Sequence, residues 1–326
     1  MKTFALALFV LMYILMIAKP KYRPFYTLVT GILYLVSGIL PLSALPSMIN
    51  WNVLMMISGT MILVDYFIES RMPNLLADLI LEKAGTVMWA TILMSIFAGF
   101  ISAFIDNVAT VLMVAPVGLP TFFLLIMVAA LIASSFIPDA PSLINGIICC
   151  SLALLLMFIQ AVRTGNPERA FSAVRNLDYE TLGLLLGLFV VIGGLTEVGV
   201  IHDFADFIVK TGIRSIFLLY SVIVWGSVLI SAFVDNIPYV ATMLPVLTLV
   251  TESLGIEPYL LYFGLLSGAT LGGNMTPIGA SANIAAVGLL KKEGYEVSFP
   301  TFMRIGVPYT LTAVLVGYLY FWFIWA

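Results

Sequence analysis

Two Asp-Asn dipeptides interrupt the most apolar stretches of the chain. Asp106 and Asn107 lie within SAFIDNVATVLMVAPV, Asp235 and Asn236 lie within SAFVDNIPYVATMLPV, and the two stretches are identical at eight of sixteen positions. A charge at bilayer depth costs several kcal/mol unless it is paired, hydrated or bound to an ion. Two related carboxylates therefore indicate cation coordination, proton exchange, or both. The alternative is that these side chains only cap a buried helix.

Each dipeptide is predicted to lie at or near the tip of a re-entrant hairpin made of a helix, a break and a second helix. Non-helical backbone at membrane depth is tolerated only where it is buried in protein or lines a cavity. The second helix would begin at the dipeptide, whose side chains can cap its first amides. Pro238 suits the first turn of that helix. Ser102, Ser231 and Thr242 are predicted to be supporting polar residues of the two hairpins.

A third interruption, SGATLGGNMTPIGASAN, runs from Ser267 to Asn283. Its paired glycines free the backbone, and Pro277, a further supporting residue, ends any helix. Its hydroxyls, amides and carbonyls predict a helix unwound in the membrane, where carbonyls can bind a cation and helix N-termini can face an anion. The alternative is a proline kink stabilised by neighbouring helices. No G-K-[ST] sequence follows, so ATP binding is not indicated.

The three interruptions together give the predicted ion- or substrate-binding residues. They are Asp106, Asn107, Asp235, Asn236, Gly273, Asn274, Thr276, Gly279, Ser281 and Asn283. A transported Na⁺ at the two Asp-Asn pairs is the one metal ion that the pattern suggests, and no cofactor is expected.

Composition determines the class of protein. The chain has 326 residues, of which 62% are hydrophobic and 10% charged, and its mean hydropathy is +1.13. Soluble domains have roughly 25% charged residues. The sequence therefore predicts an all-α polytopic membrane protein. The chain has no basic patch with interleaved aromatic residues, which argues against a nucleic acid partner, and no GxSxG or HExxH motif, so an enzyme is not expected.

The elements that must position these residues are membrane helices. Uninterrupted spans are predicted at about 3–18, 24–46, 52–68, 123–138, 142–162, 180–198 and 304–325. Three regions, 86–117, 214–250 and 258–290, are apolar but interrupted, and three short stretches near 73–83, 168–177 and 203–210 are predicted to be interfacial.

The chain contains an internal duplication. Residues 50–70 align with 178–198, in addition to the two Asp-Asn stretches. The linker KPKYR is basic and its counterpart PDAPS is not, whereas LPSMIN lacks basic residues and its counterpart RTGNPERAFSAVR has three. Basic loops face the cytoplasm, so the two copies are predicted to have inverted topology, which is typical of secondary transporters.

The two predicted repeats are residues 1–118 and 119–326, and they differ in length. After Val246 the second repeat continues for 80 residues through the glycine-rich break and a last helix, whereas the first has only GLPT after Val117. The first repeat thus lacks its discontinuous helix at its C-terminal end. Either the protein is naturally shortened, or residues near 117–122 are missing from the sequence.

DNIPYVATMLPV and LGGNMTPIGASANIAAVGLLKKEGYEVSFPTFMRIGVPYTL carry a resemblance to a known family. They resemble the arsenite permease and melanosomal P-protein branch of the ion transporter superfamily, which also includes sodium–proton antiporters and citrate-transporter-like carriers. The resemblance implies two inverted repeats, each with a re-entrant hairpin and a discontinuous helix, and often a homodimer. It places the hairpin tips at the two Asp-Asn pairs and the second broken helix at Gly273, Asn274, Thr276 and 279–283.

These observations predict a secondary active transporter of a small inorganic ion, coupled to H⁺ or Na⁺ and working by alternating access. Cation–proton antiport and efflux of arsenite or a related oxyanion both remain open. The alternatives are a non-transporting scaffold of the same fold and a dicarboxylate or citrate carrier. The expected location is the plasma membrane of a prokaryote.

Overall fold

Over the residues that the structure describes, all regular secondary structure is helical. The structure is a computed structural model, and it describes residues 1–69, 72–102, 119–137, 140–210, 215–292 and 294–326. The helices are α1 Lys2–Ala18, α2 Arg23–Val36, α3 Leu45–Met48, α4 Trp51–Glu69, α5 Met72–Lys83, α6 Val87–Ser102, α7 Leu119–Ser134, α8 Ile144–Thr164, α9 Pro167–Arg175, α10 Tyr179–Glu197, α11 Val200–Lys210, α12 Ile216–Ser231, α13 Asn236–Leu254, α14 Tyr259–Gly272, α15 Ser281–Lys292 and α16 Phe299–Trp325. Two 3₁₀ turns, Pro20–Tyr22 and Gly273–Met275, complete the described elements.

Several of these helices have the length and composition of membrane spans. Within the described ranges, α4, α8, α10, α13 and α16 are long and apolar enough to cross a bilayer. Shorter apolar helices include α1 and α12. The prediction of an all-α polytopic membrane protein is therefore confirmed, whereas the inverted topology of the two repeats stays a prediction.

Most predicted spans agree with the observed helices, but the span at 24–46 is wrong. α2 ends at Val36, and the chain turns at Gly38, which has a φ of +71°. Glycine adopts this left-handed conformation at little cost. The amides of Ile39 and Leu40 then donate to the carbonyl of Tyr34, which closes the helix. Apolar composition alone did not reveal this turn.

The chain divides into two compact units. The first comprises Met1–Ile49 and Gly183–Ala326, and the second comprises Asn50–Leu182. These units group residues by packing, whereas the predicted repeats group residues by duplication, so their boundaries need not agree. The repeat boundary at 118 stays a prediction.

In the first unit, α12 and α14 pack in parallel along a stripe of glycines. A Cβ on Gly264 would lie 2.6 Å from the Tyr220 ring, and one on Gly268 would overlap the Val224 carbonyl oxygen. Gly272 meets Val228 in the same register. Small residues four apart let two membrane helices approach to backbone contact. In this register Ser231, the last residue of α12, is level with Met275, the last residue of the 3₁₀ turn that follows α14.

The first unit also packs α10 against α2. A Cβ on Gly187 would lie 2.6 Å from the carbonyl carbon of Thr27 and 2.7 Å from the Leu28 amide nitrogen. One turn earlier, the Cβ position of Gly183 is 3.8 Å from Pro24 Cβ. The contact is therefore one of backbone against backbone at Gly187.

The second unit contains an equivalent contact between α4 and α8. A Cβ on Gly59 would overlap the carbonyl carbon of Cys149 and would lie 2.6 Å from the Cys150 amide nitrogen. At the start of α8, the Cβ position of Gly146 is 2.7 Å from Met55 Cβ. Asn52 Oδ1 accepts a hydrogen bond from the Gly146 amide at 2.7 Å.

The pair α4–α8 and the pair α2–α10 make their contacts at positions that correspond in the internal duplication. The sequence alignment places Gly59 on Gly187 and Met55 on Gly183. Their partners then correspond as well, since Cys149 takes the place of Thr27 and Gly146 the place of Pro24. The third span of each copy packs on the second span of the other copy, so the duplication includes packing as well as sequence.

The close contacts at Gly59 and Gly187 give a matched test. We expect Gly59→Ala and Gly187→Ala each to destabilise the protein by about 1–3 kcal/mol or more, because the added methyl meets backbone atoms that cannot move aside. Unfolding temperature in detergent, followed by size-exclusion chromatography, measures this loss. The controls are Gly99→Ala and Gly226→Ala, where a Cβ meets nothing within 4 Å. Equal stability of all four variants would contradict the packing.

Candidate functional site

The register of α12 and α14 brings two helix breaks together. α12 ends at Ser231 and α13 begins at Asn236, while α14 ends at Gly272 and α15 begins at Ser281. Ser231 Oγ donates to the carbonyl of Ala269, and Thr276 Oγ1 donates to the carbonyl of Ala232. The two interrupted regions, recognised separately in the sequence, thus form one polar site inside an apolar unit.

Gly279 closes the contact between the two breaks. A Cβ at this position would lie 2.5 Å from the Gly273 carbonyl oxygen, 2.7 Å from that of Ala232 and 3.0 Å from that of Ser231. Three carbonyl oxygens therefore converge on one α-carbon, and only a residue without a side chain fits between them.

Asn283 of α15 is hydrogen-bonded to the backbone of the break between α14 and α15. Its Nδ2 donates to the carbonyl oxygens of Gly273 and Thr276, at 3.0 Å each. These carbonyls follow the end of α14, where an intrahelical partner is missing. The amide of Asn283 thus supplies a hydrogen bond that the broken helix lacks.

Asp235 lies at the break that precedes α13 and is almost fully buried. It occupies the N-cap position of α13, as predicted, and its carboxylate interacts with the backbone amides of Asn236 and Ile237. Its Oδ2 also accepts a hydrogen bond from Arg23 Nη1 at 2.9 Å, and the two side chains are 10% and 11% exposed. The sequence did not predict this ion pair between the guanidinium of Arg23 and the carboxylate.

Tyr13 of α1 contacts the first turns of α13. Its hydroxyl donates to the Pro238 carbonyl at 3.0 Å and lies 2.8 Å from Thr242 Oγ1. Thr242 Oγ1 also donates to the Pro238 carbonyl at 2.8 Å. Pro238 lies in the first turn of α13, as predicted. Both α1 and α2 therefore hold the start of the helix that follows Asp235.

The remaining predicted residues are distributed as follows. Asn236 is the first residue of α13, Asn274 lies in the 3₁₀ turn, Pro277 follows that turn, Ser281 is the first residue of α15, and Ser102 is the last residue of α6. Asp106 and Asn107 lie outside the described residues, so the first hairpin tip and the Na⁺ site shared by both Asp-Asn pairs stay predictions.

Sequence reasoning missed three residues of this site. Arg23 was interpreted only as part of a basic loop, and Tyr13 as part of an apolar span. Gly306 of α16 packs on the broken helix, since its Cβ position is 2.6 Å from the Asn274 carbonyl oxygen. Gly306 and Tyr13 could have been noticed as a glycine and a polar aromatic residue within apolar helices. No local sequence pattern links Arg23 to Asp235, which is 212 positions away.

The chemistry of the assembled site is that of oxygen ligands. It offers a carboxylate, carbonyl oxygens and hydroxyls, which suit a hard cation such as Na⁺. Within the described residues, no cluster of three His, Cys, Asp or Glu side chains could hold a metal ion. A cavity of about 720 Å³ beside α13 is lined mainly by apolar residues of α1, α11 and α13, including Leu6, Phe204 and Val246. Its apolar lining makes it a poorer place for an ion than the junction of the two breaks.

The sequence also matches a family model. A model described as a citrate transporter matches residues 13–122 and 147–326, which include both Asp-Asn stretches and the glycine-rich break. The chain belongs to the citrate transporter family. The predicted resemblance to the ion transporter superfamily is confirmed by this match and by the relatives.

Several relatives are named as transporters or membrane proteins. An uncharacterized transporter of Mycobacterium tuberculosis is 31% identical over 201 residues, which cover 61% of this chain and 44% of the relative. An uncharacterized transporter of Synechocystis is 29% identical over 212 residues, covering 60% and 46%. Human P protein is 34% identical over 154 residues, covering 45% of this chain and 18% of P protein. The chain thus spans less than half the length of these relatives. Family membership and the long apolar helices together indicate an integral, multi-pass membrane protein.

The convergence at Gly279 gives a prediction for the site. We expect Gly279→Ala to separate the two breaks and to lower any ion flux through the protein by about tenfold or more, because its methyl would overlap fixed carbonyl oxygens. Flux into vesicles, normalised to folded protein, measures this effect. Gly288→Ala in α15 is the control, since a Cβ there meets nothing within 4 Å. A Gly279→Ala protein that folds and transports like Gly288→Ala would show that the close contact is not required.

Proposed function

We propose that the chain is a secondary active transporter that moves a small ion by alternating access, coupled to H⁺ or Na⁺. The observation that carries this proposal is the meeting of two helix breaks beside a buried carboxylate. Broken helices whose carbonyls and termini face one another are the usual ion sites of secondary transporters. Irregular backbone at membrane depth is tolerated only where it is buried in protein or lines a water-filled cavity.

Inverted repeats with re-entrant hairpins are part of this proposal. The equivalent packing of Gly59 on α8 and of Gly187 on α2 supports the duplication. The alternation of basic linkers supports opposite orientations of the two copies. The α12–break–α13 segment, with Asp235 at the break, is the proposed second hairpin, and Asp106 is the proposed tip of the first. A homodimer in a prokaryotic plasma membrane completes the proposal.

The transported ion has two principal alternatives. The Asp-Asn dipeptides favour cation–proton antiport, and the resemblance to arsenite permeases favours efflux of arsenite or another oxyanion. A citrate or dicarboxylate carrier is a second candidate function, favoured by the description of the family whose model matches. Arg23 lies next to Asp235 and carries the charge that would attract such an anion.

The test is flux into vesicles that contain the purified chain and a pH-sensitive dye. Na⁺, arsenite and citrate are added separately, and each substrate class predicts a response to its own ion only. A response to Na⁺ alone supports antiport, and a response to arsenite or citrate supports the corresponding carrier. A wild-type chain that responds to none of the three would favour the scaffold alternative.

The two carboxylates provide the matched variants for this test. We expect Asp235→Asn and Asp106→Asn each to lower coupled flux by about tenfold or more, because a neutral amide cannot exchange a cation or a proton. Asp203→Asn is the control, since its carboxylate is 64% exposed and pairs with Lys2 at the surface. Normal flux in both Asp235→Asn and Asp106→Asn would refute the coupling role.

A further inference from the structure

The ion pair of Arg23 and Asp235 differs from the other ion pairs that the structure describes. Both of its side chains are about one-tenth exposed, whereas the side chains of Lys2 and Asp203 are 53% and 64% exposed. The side chains of Lys210 and Asp206 are 77% and 62% exposed. Exposed pairs contribute little and carry a small desolvation penalty. A buried pair carries a large one, and it is weak evidence for a purely stabilising role.

The geometry of the contact allows exchange. The structure joins the pair through one nitrogen, Nη1 of Arg23, and one oxygen, Oδ2 of Asp235. Guanidinium and carboxylate groups bind more strongly when two parallel hydrogen bonds form. Arg23 is also the first residue of α2, directly after a 3₁₀ turn, and it reaches Asp235 through a long side chain. The guanidinium can therefore leave without unfolding a helix.

We propose that Arg23 is a tethered competitor of the coupling cation, so that Na⁺ or H⁺ binds Asp235 only by displacing the guanidinium. A single carboxylate neutralises one positive charge, and a second cation beside it would leave an uncompensated charge in an apolar unit. Arg23 thus neutralises Asp235 in the ion-free state. When Na⁺ binds, the guanidinium moves away and no covalent bond forms or breaks. When H⁺ binds, the guanidinium moves away and a proton taken from water forms an O–H bond with the carboxylate. The strength of the Arg23 contact sets the affinity of Asp235 for the cation.

The surroundings of the pair contain few competing groups. Tyr13 of α1 is hydrogen-bonded to Thr242, and Tyr239 of α13 to Ser227. The neighbouring break contributes Thr276 and Asn283, which do not titrate in the physiological range. Within the described residues, Arg23 and Asp235 have no other ion-pair partner. A cation response at this place can therefore be assigned to the pair.

The purpose of the exchange rests on the transport function proposed above, but the competition itself can be measured without flux. The probe is the unfolding temperature of the purified full chain in detergent. Na⁺ is raised at constant ionic strength in one series, and pH is lowered in another. A cation that binds only the folded state raises the unfolding temperature as its concentration rises.

Arg23→Gln leaves Asp235 buried without its partner. We expect its unfolding temperature to fall by about 5–10 °C, because an unpaired buried charge is strongly destabilising. Added Na⁺ or added protons should restore most of this loss, since either cation can now take the vacated position. Wild type should respond much less to both, because Arg23 already occupies the site. Arg23→Lys should respond to an intermediate degree.

The combined variant and a surface control make the result specific. Arg23→Gln with Asp235→Asn should lose the response, because the carboxylate that binds the cation is gone. Lys2→Gln, which breaks the exposed pair with Asp203, should respond like wild type. If neither Arg23→Gln nor Arg23→Lys responds more steeply than wild type to either cation, the competition is overturned. If Arg23→Gln fails to fold, the Arg23→Lys comparison still decides the question.

The outcome for the pair is distinguishable from the outcome for transport. A wild-type chain without flux, together with a steep response of Arg23→Gln to Na⁺ or protons, would contradict the proposed function but keep the competition. Normal coupled flux, together with an unfolding temperature that does not respond to either cation in any Arg23 variant, would support the proposed function but contradict the competition.

Discussion

A carboxylate in an apolar helical unit must be neutralised, and this requirement shapes the first compact unit. Asp235 lies where α12 has ended and α13 has not begun, and the Arg23 guanidinium neutralises it. Desolvation of two charges is costly, so the pair persists only where neighbouring elements hold both partners in place. The α1–α2 hairpin supplies that support, because α2 carries Arg23 and α1 carries Tyr13, which binds the Pro238 carbonyl.

The junction of the two helix breaks depends on a constraint of shape. Gly264, Gly268 and Gly272 let α14 approach α12 to backbone contact in a parallel register. That register continues past both helix ends, where Thr276 binds the Ala232 carbonyl with the same sequence separation of 44 residues. The same separation of 44 residues therefore describes the packing of α12 on α14 and the contact between the two breaks. A bulkier residue in the stripe would separate oxygens that lie beyond it.

Local sequence patterns predicted the local features of the site. Polar residues within apolar runs located the breaks before Asn236 and around Gly273, because unpaired backbone in a membrane helix needs polar partners. The same patterns could not predict the partner of Asp235, since hydropathy and spacing carry no information about a contact over 212 positions. The basic residues of KPKYR were attributed to membrane orientation, which explains their charge without placing Arg23. The end of α2 was missed for a similar reason, because apolar composition continues through the turn at Gly38.

The duplication has conserved backbone packing but not charge. Gly59 and Gly187 make equivalent contacts with Cys149 and Thr27, and these contacts define which positions of α2 and α8 correspond. In that register the counterpart of Arg23 is Asn145, which has no charge and accepts a hydrogen bond from Ser134. If Asp106 occupies the equivalent hairpin tip, the duplicated register does not provide it with an arginine. The two carboxylates would then differ in what a cation must displace, so they would not be interchangeable halves of one site.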